Sequence, residues 1–296
     1  MSVIAPLPSE LAKAVPAARQ GRGLPGLRGT GVLGHACATI ILVAILVAVF
    51  GPTLAPYDPN GLDISFAFTG PHGNHYLGFD GQGRDLFSRL LVGARTSMLG
   101  PLLVATLAVV TGSLLAVAAA WIGGWFDAIL SMILDVLFAF PGILLAVVAA
   151  AVFGAGLTSA VCALSVAYLP YVARVLRGAG LRERAQPYVE ALAVQGFSAV
   201  RICLRHLLPN ISSLIVAQAT ILFGWAMVDL AAISFLGLGV QAPQADWGVM
   251  IADGKIGVIE GYKTEAVSAA LCIVVVVAAV SFLGERLNER AHRETR

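Results

Sequence analysis

Few residues in this sequence are spaced for catalysis or for binding a metal ion. The four cysteines form no CxxC pair and the five histidines form no HExxH pattern, so neither type predicts a metal site. The phosphate-binding pattern G-x-x-x-x-G-K-[ST] is absent too, because Asp253-Gly254-Lys255 lacks the earlier glycine and the following hydroxyl residue. We therefore predict no catalytic residue, no metal ligand and no nucleotide site in this chain.

Two carboxylates, Asp135 and Asp229, lie in long apolar stretches. On membrane-insertion scales a carboxylate at a helix centre costs at least about 2.5 kcal/mol, so such a residue normally faces protein or water. Each aspartate is a candidate for a translocation path, where it would meet a substrate's amino group, or for a hydrogen-bonded structural role. We prefer the structural interpretation for Asp135, which is close to a predicted turn, and leave both open for Asp229.

The elements that carry these residues are predicted membrane helices. Of 296 residues, 58% are hydrophobic and 12% are charged, whereas soluble domains average about 45–50% and about 25%. After a predicted flexible tail, residues 1–30, six apolar stretches are suited to crossing about 30 Å of hydrocarbon. They run approximately over residues 31–50, 98–122, 128–153, 157–173, 211–235 and 264–283. The net charge of +2 is spread along the chain and predicts no nucleic-acid binding.

The distribution of basic residues predicts the orientation of the six helices. An even number of crossings puts both termini on one side, together with the turn near Gly124 and the loop that precedes the fifth helix. Of the 19 lysines and arginines, fourteen fall on that side and five on the other. The positive-inside rule then places the termini in the cytoplasm. The five basic residues of the outer side are Arg84, Arg89, Arg95, Lys255 and Lys263.

The inner loop between the fourth and fifth helices, about residues 175–210, differs from its surroundings because it is polar and predicted to be helical. Pro187 suits the first turn of a helix, and Gly196 suits its end through a positive φ angle. Pro209 then marks the entry to the next membrane helix. We expect two short helices set at an angle, as a protruding elbow. An ordinary amphipathic surface helix is the alternative.

The elbow residues resemble the loop shared by the permeases of ABC importers. Glu190, Ala191 and Gly196 match its motif, and Leu192 replaces an alanine. In that family the loop is a coupling helix that docks into a cleft on a cytoplasmic ATPase. The resemblance implies an ATPase-coupling site, whose candidate residues are Glu190, Ala191, Leu192, Gly196, Phe197 and Arg201.

Further blocks of sequence extend the resemblance to residues 31–284. In order, they are similar to the C-type permease of dipeptide, oligopeptide and nickel importers. Asp229 and Ala242 depart from the common pattern of that family. The matching blocks are residues 75–80, 83–89, 93–97, 123–127, 135–141, 234–241 and 246–248.

The resemblance implies an all-α membrane protein with six transmembrane helices, the type I ABC importer transmembrane domain with a cytoplasmic coupling helix. The expected organisation is a flexible tail, a first helix, an extracytoplasmic segment, the transmembrane domain and a cytoplasmic tail. The corresponding ranges are 1–30, 31–52, 53–94, 95–285 (with the coupling loop at 175–210) and 286–296. The chain is expected to be a multi-pass protein of the cell membrane.

The resemblance also implies partners. They are a related B-type permease in a heterodimer, two ATPase subunits or domains that bind ATP–Mg, and an extracytoplasmic substrate-binding protein. This chain itself is expected to need no cofactor. Peptides are the expected substrates, although dipeptides, oligopeptides, nickel complexes and haem stay open. An ion-driven secondary transporter is the alternative class, and it would predict two internally similar halves.

Overall fold

The computed structural model describes residues 31–294, which form α-helices joined by turns and short loops, with no β-strand in that range. A short 3₁₀ turn at Ile64–Phe66 and a π-helical turn at Cys203–Leu207 interrupt the pattern. The predicted tail at residues 1–30 lies outside the described part of the chain. The helices are α1 (Gly31–Leu54), α2 (Leu86–Ile122), α3 (Gly124–Phe138), α4 (Gly142–Phe153), α5 (Leu157–Arg184), α6 (Pro187–Val194), α7 (Ala199–Ile202), α8 (Leu208–Asn210), α9 (Ser212–Phe235), α10 (Trp247–Glu260) and α11 (Thr264–Glu294).

Five helices are long and apolar enough to cross a membrane: α1, α2, α5, α9 and α11. The pair α3 and α4 also passes that test, but the two helices meet at an angle of 84°. The prediction of six spans is confirmed with this pair counted as one. Pro141 has an extended backbone (ψ 131°) and no N–H to donate, so the helix cannot continue through it. Pro141 therefore stands at a break between two helices.

Helix α2 begins twelve residues before the predicted start of the second span. The Asp85 side chain caps it by accepting a hydrogen bond from the Ser88 N–H at 2.8 Å. Arg89, one of the five basic residues predicted on the outer side, is fully buried and donates from Nη1 to the Pro59 carbonyl oxygen at 3.1 Å. The first turns of α2 thus lie inside the predicted extracytoplasmic segment, residues 53–94.

Helices α2, α5 and α9 form the centre of the bundle, and small residues let α2 and α5 approach closely. A Cβ atom on Gly112 would lie 2.8 Å from Cγ1 of Val172, and one on Gly180 would lie 3.1 Å from Cβ of Ala120. This packing continues along α5 to Arg184, beyond the predicted end of the span at residue 173. The contact holds the loop that follows α5 against the end of α2.

The opposite end of the bundle is closed by residues 55–85 and by α10. Asp246 caps α10 by accepting hydrogen bonds from the Gly248 and Val249 N–H groups, and it also accepts one from Ser97 Oγ at 2.7 Å. Burial raises the pKa of this carboxyl, although the hydrogen bonds act against the rise. The matching sequence block at residues 246–248 therefore serves to fix α10 against α2 and α9.

The last helix differs from the prediction at its end. Residues 286–296 were expected to be a tail, whereas α11 continues as a helix to Glu294, and residues 295–296 lie outside the described range. Its membrane-spanning part ends at Leu287. Arg286 pairs with Glu289 at 3.5 Å, and both side chains are about half exposed. The charged end of α11 is thus a helical extension of the sixth span.

Candidate functional site

The candidate site is the elbow, defined as residues 185–211, which connects α5 to α9. Pro187 occupies the first turn of α6, as predicted, where its missing N–H leaves no intrahelical bond unmade. Helix α7 follows after four residues, and a π-helical turn leads from it into α8 and α9. The Leu208 N–H donates to the Cys203 carbonyl oxygen in this wide turn. The predicted pair of short helices is present.

Gly196 makes the turn between the two helices possible. Its φ angle is +83°, in the left-handed region that residues with a Cβ resist. The Phe197 N–H donates to the Leu192 carbonyl oxygen (3.2 Å), and the Gly196 N–H donates to that of Ala193 (3.0 Å). These two bonds form a Schellman motif, which satisfies the last carbonyl groups of α6 and turns the chain sharply.

One face of the elbow is buried against the membrane helices. Val189, Ile202 and Leu207 are buried in the same cluster as Val172 and Leu176 of α5. Leu192 and Phe197, two of the candidate residues, pack partly buried against this cluster. Their contribution is therefore to hold the elbow in place.

The other face of the elbow is exposed and mixes charge with apolar surface. Glu190, Ala191 and Arg201 are exposed, and the Arg201 guanidinium lies 4.9 Å from the Phe197 ring centroid. No described basic side chain lies within ion-pairing distance of Glu190. Large apolar side chains of the elbow are exposed as well, namely Val194, Val200 and Leu204.

A ring of three polar side chains ties the elbow to both membrane helices. The Tyr188 hydroxyl and Asn210 Nδ2 each donate to Oε1 of Glu183 at 2.5 Å, and Asn210 Nδ2 also donates to the Tyr188 hydroxyl oxygen at 2.8 Å. Glu183 lies in the last turn of α5, Tyr188 in α6, and Asn210 just before α9. The ring therefore links the start and the end of the elbow to each other and to the last turn of α5.

Sequence reasoning missed Glu183. Glu183 lies inside the loop predicted at residues 175–210, but it stands between two arginines, several residues before the motif that begins at Glu190. A single carboxylate among Arg182, Arg184 and other basic residues was the available signal. This carboxylate predicted a nearby ion-pairing or hydrogen-bonding partner but did not identify the partner residue.

Arg184 fixes the same end of the bundle from the side of α2. Its Nη1 donates to the Ala120 carbonyl oxygen at 2.6 Å, and its guanidinium lies 5.4 Å from the Trp121 ring centroid. Nearby, burial raises the pKa of the Cys203 thiol, which opposes formation of a reactive thiolate. The surroundings of the elbow are thus structural rather than catalytic.

The two intramembrane aspartates have different environments. Asp135 in α3 accepts a hydrogen bond from Nη2 of Arg174 at 2.6 Å, and both side chains are more than half exposed in the isolated chain. Asp229 in α9 accepts one from the Tyr168 hydroxyl at 2.6 Å. The structure does not bring the two aspartates together with the elbow. Among the described residues no three His, Cys, Asp or Glu side chains are placed to hold a metal ion.

Comparison with known proteins defines the class of this fold and site. Residues 80–296 match the family of the binding-protein-dependent transport system inner membrane component. The chain belongs to this family and is a permease subunit of an ABC importer, a multi-pass inner-membrane protein and not an enzyme. A permease of this class works with an ATPase, a substrate-binding protein and a second permease. The ion-driven alternative is therefore set aside.

Individual permeases show how similar this chain is to proteins with a named substrate. The chain is 38% identical, over 253 residues, to the glutathione transport system permease protein GsiD of Escherichia coli O6:K15:H31 (strain 536 / UPEC). It is 37% identical over the same length to GsiD of Shigella dysenteriae serotype 1 (strain Sd197). Both alignments cover 85% of this chain and 83% of the relative. The predicted resemblance to peptide and nickel importer permeases is confirmed.

A solved structure supports the fold. A chain of the MetNI methionine ABC transporter, in an inward-facing conformation, superposes with a TM-score of 0.55 at 21% sequence identity. The match covers 69% of this chain and 96% of that chain. At this identity the likeness concerns the fold alone, and it confirms the predicted type I transmembrane domain.

Proposed function

We propose that this chain forms one half of the path by which an ABC importer moves small peptides across the cytoplasmic membrane. A related permease supplies the other half in a heterodimer, and an extracytoplasmic binding protein delivers the substrate. Two ATPase subunits or domains bind ATP–Mg and supply the energy. The peptide class is supported by the 38% identity to permeases named for glutathione, a tripeptide.

The elbow is the observation that carries the coupling part of the proposal. Its exposed face presents Glu190 among apolar side chains, and Val194 is 84% exposed. An exposed apolar patch around one unpaired charge is typical of a docking surface. Its buried face and the Glu183 ring attach it to α5 and α9. A displacement of the exposed face is therefore transmitted to the membrane helices α5 and α9.

We assign the exposed candidate residues to ATPase docking. Glu190 makes a charge-assisted contact with a basic group of the ATPase, and Ala191 allows close approach of the two surfaces. Arg201 supplies the opposite charge on the neighbouring helix. Leu192, Gly196 and Phe197 hold the shape of the elbow.

The orientation follows from the basic residues. The elbow and the end of α11 lie on the side to which six crossings assign fourteen of the 19 lysines and arginines. This side is the cytoplasm, where the ATPase is found. Residues 55–85 and α10 then face the binding protein outside.

Labelling of single cysteines in intact cells tests this arrangement. Cysteines introduced at Asn74 and Gln244 are expected to react with a membrane-impermeant thiol reagent, because both positions lie at the exposed opposite end. A cysteine at Glu289 is expected to react only after the membrane is opened. Each variant is made in a chain whose four native cysteines are replaced. Labelling of the Glu289 position in intact cells would place the elbow outside and exclude ATPase docking.

A further inference from the structure

A carboxylate and three aromatic side chains meet within the membrane-spanning part of the chain. The Tyr168 hydroxyl of α5 donates to Oδ2 of Asp229 in α9 at 2.6 Å. At 1.5 Å per residue, Asp229 lies about 25 Å from the start of α9 and about 9 Å from its end. Tyr168 lies about 16 Å from the start of α5. The contact therefore lies within two of the membrane-spanning helices and away from their ends.

Asp229 has no basic partner among the described residues. No described basic side chain lies within 4.0 Å of its carboxylate, whereas Asp127 pairs with Arg177 and Asp135 pairs with Arg174. Carboxylates within membrane helices normally face protein or water and have a partner. Asp229 is half-buried, so one side of the group is open to whatever lies beside the isolated chain.

Aromatic rings lie near this carboxylate and contact one another. Trp225 is four residues before Asp229 and so lies on the same face of α9, with 45% of its surface exposed. Its ring centroid is 5.1 Å from that of Tyr171 and 6.4 Å from that of Tyr168. Faces of tryptophan and tyrosine rings attract cations, particularly ammonium groups removed from water.

The break between α3 and α4 lies beside the same carboxylate. A Cβ atom on Gly142 would lie 4.0 Å from Oδ2 of Asp229. Gly142 is the first residue of α4, whose first-turn N–H groups have no carbonyl partner four residues earlier in a continuous helix. Irregular backbone at membrane depth is tolerated where it is buried in protein or lines a water-filled cavity. Here a Cβ on Gly142 would also lie 3.4 Å from Cβ of Ala167 in α5, so the break is buried in protein directly beside Asp229.

We propose that Tyr168, Tyr171, Trp225 and Asp229, the acidic–aromatic patch, bind the protonated amino group of a small peptide during its passage. This inference rests on the proposed function, because it names the part of the substrate that the path recognises. The carboxylate balances the ammonium charge, and the rings replace part of its water. The Tyr168 hydroxyl keeps the carboxylate oriented. The competing occupant is a basic side chain of the second permease.

Variants of Asp229 and Trp225 in the complete transporter distinguish a substrate amino group from a basic side chain of the second permease. The complex of both permeases, ATPase and binding protein is reconstituted in vesicles. Uptake of dialanine, trialanine and glutathione, each with a free amino group, is then measured beside ATP hydrolysis stimulated by loaded binding protein. We expect Asp229→Glu to retain uptake and Asp229→Asn to lower it about tenfold or more, as for loss of a charged hydrogen bond. Trp225→Phe should retain more uptake than Trp225→Leu.

Assembly and stimulated ATP hydrolysis should stay at the wild-type level in all four variants, since the patch meets only released substrate. Val228→Ala, at an exposed neighbouring position of α9, is the control and should leave uptake unchanged.

Unchanged uptake in Asp229→Asn, or an equal loss in Asp229→Glu, overturns the proposal. Failure of Asp229→Asn to assemble assigns the carboxylate to the second permease. Equal uptake by Trp225→Phe and Trp225→Leu would show that the aromatic rings do not contribute to substrate binding. A wild-type complex without ATP-dependent uptake instead overturns the proposed function itself.

Discussion

Two glutamates only seven residues apart have different environments at the elbow. Glu190 is exposed and has no described ion-pair partner, whereas Glu183 is half-buried and accepts hydrogen bonds from Tyr188 and Asn210. A charged group without an internal partner is available for an intermolecular contact. A charged group with two donors stabilises the local structure instead. We therefore assign docking to Glu190 and positioning of the elbow to Glu183.

Replacing Glu183 is predicted to loosen the elbow. In Glu183→Ala the Tyr188 hydroxyl and the Asn210 amide lose their shared acceptor, a change of about 1.5–3 kcal/mol for hydrogen bonds to a charged group. Local opening should become about tenfold more frequent or more, because each 1.4 kcal/mol is tenfold in an equilibrium constant. Trypsin cleavage at Arg201 and Arg205 of the purified complex measures this opening.

Two further variants make the trypsin measurement specific. Glu183→Gln keeps an oxygen acceptor and should give an intermediate cleavage rate. Glu285→Ala removes an exposed carboxylate near the same end of the bundle and should leave cleavage unchanged. Equal cleavage of the wild type and Glu183→Ala would show that the ring does not hold the elbow.

At the scale of elements, hydropathy located the spans, but contacts decided where the helices begin and end. The first, fifth and sixth spans start within a residue of their predicted positions, because each follows a clear change in composition. Helix α2 starts early at its Asp85 cap, and Arg89 in its first turn is buried against the Pro59 carbonyl, a contact across thirty residues that no local pattern reveals.

The elbow itself was largely predictable, whereas its attachment was not. Pro187 and Gly196 have local conformational preferences, so their spacing predicted the two short helices. The Glu183–Asn210 bond joins residues separated by 27 positions and requires knowledge of how α5 and α9 converge. The 84° angle between α3 and α4 likewise depends on how α4 packs against α5, which the sequence does not show.

Removal of the end of α11 is predicted to leave transport intact. Up to Gly284 the helix packs against α9, where a Cβ on that glycine would lie 3.2 Å from Thr220. Beyond it, Arg286 and Glu289 form an exposed pair, which contributes little to stability. A chain ending before Asn288 should therefore insert and support ATP-dependent uptake like the full chain.

The matched truncation for this test ends before Val280, which is buried between α11 and its neighbours. This chain should fail to accumulate in the membrane. A large loss of uptake in the shorter deletion, with normal accumulation, would show instead that the end of α11 contacts the ATPase.

The whole molecule is a helical bundle whose two ends differ in structure. One end is fixed by α10, residues 55–85 and the Asp246 cap, and the other carries the elbow. Between them, Asp229 and the break at Pro141 interrupt otherwise apolar helices. A single chain with one elbow, and with a carboxylate that has no basic partner among the described residues, is suited to work beside a second permease.

The central claim is that the elbow transmits the state of the ATPase to the membrane helices. Glu190→Ala removes the proposed charged contact, typically worth about 1.5–3 kcal/mol. Gly196→Val leaves the exposed face intact but opposes the left-handed turn, at a cost of about 1–2 kcal/mol. Nothing lies within 4 Å of a Cβ at Gly196, so its effect would come from the backbone alone.

Stimulation of ATP hydrolysis by loaded binding protein, measured in vesicles with the complete transporter, tests this claim most directly. We expect Glu190→Ala and Gly196→Val to insert normally and to lose most of the stimulation, while Glu285→Ala keeps it. Binding of the ATPase to detergent-purified permease, measured in parallel, should weaken in Glu190→Ala. Wild-type stimulation in both elbow variants would contradict the account, because the transmission element would then lie elsewhere.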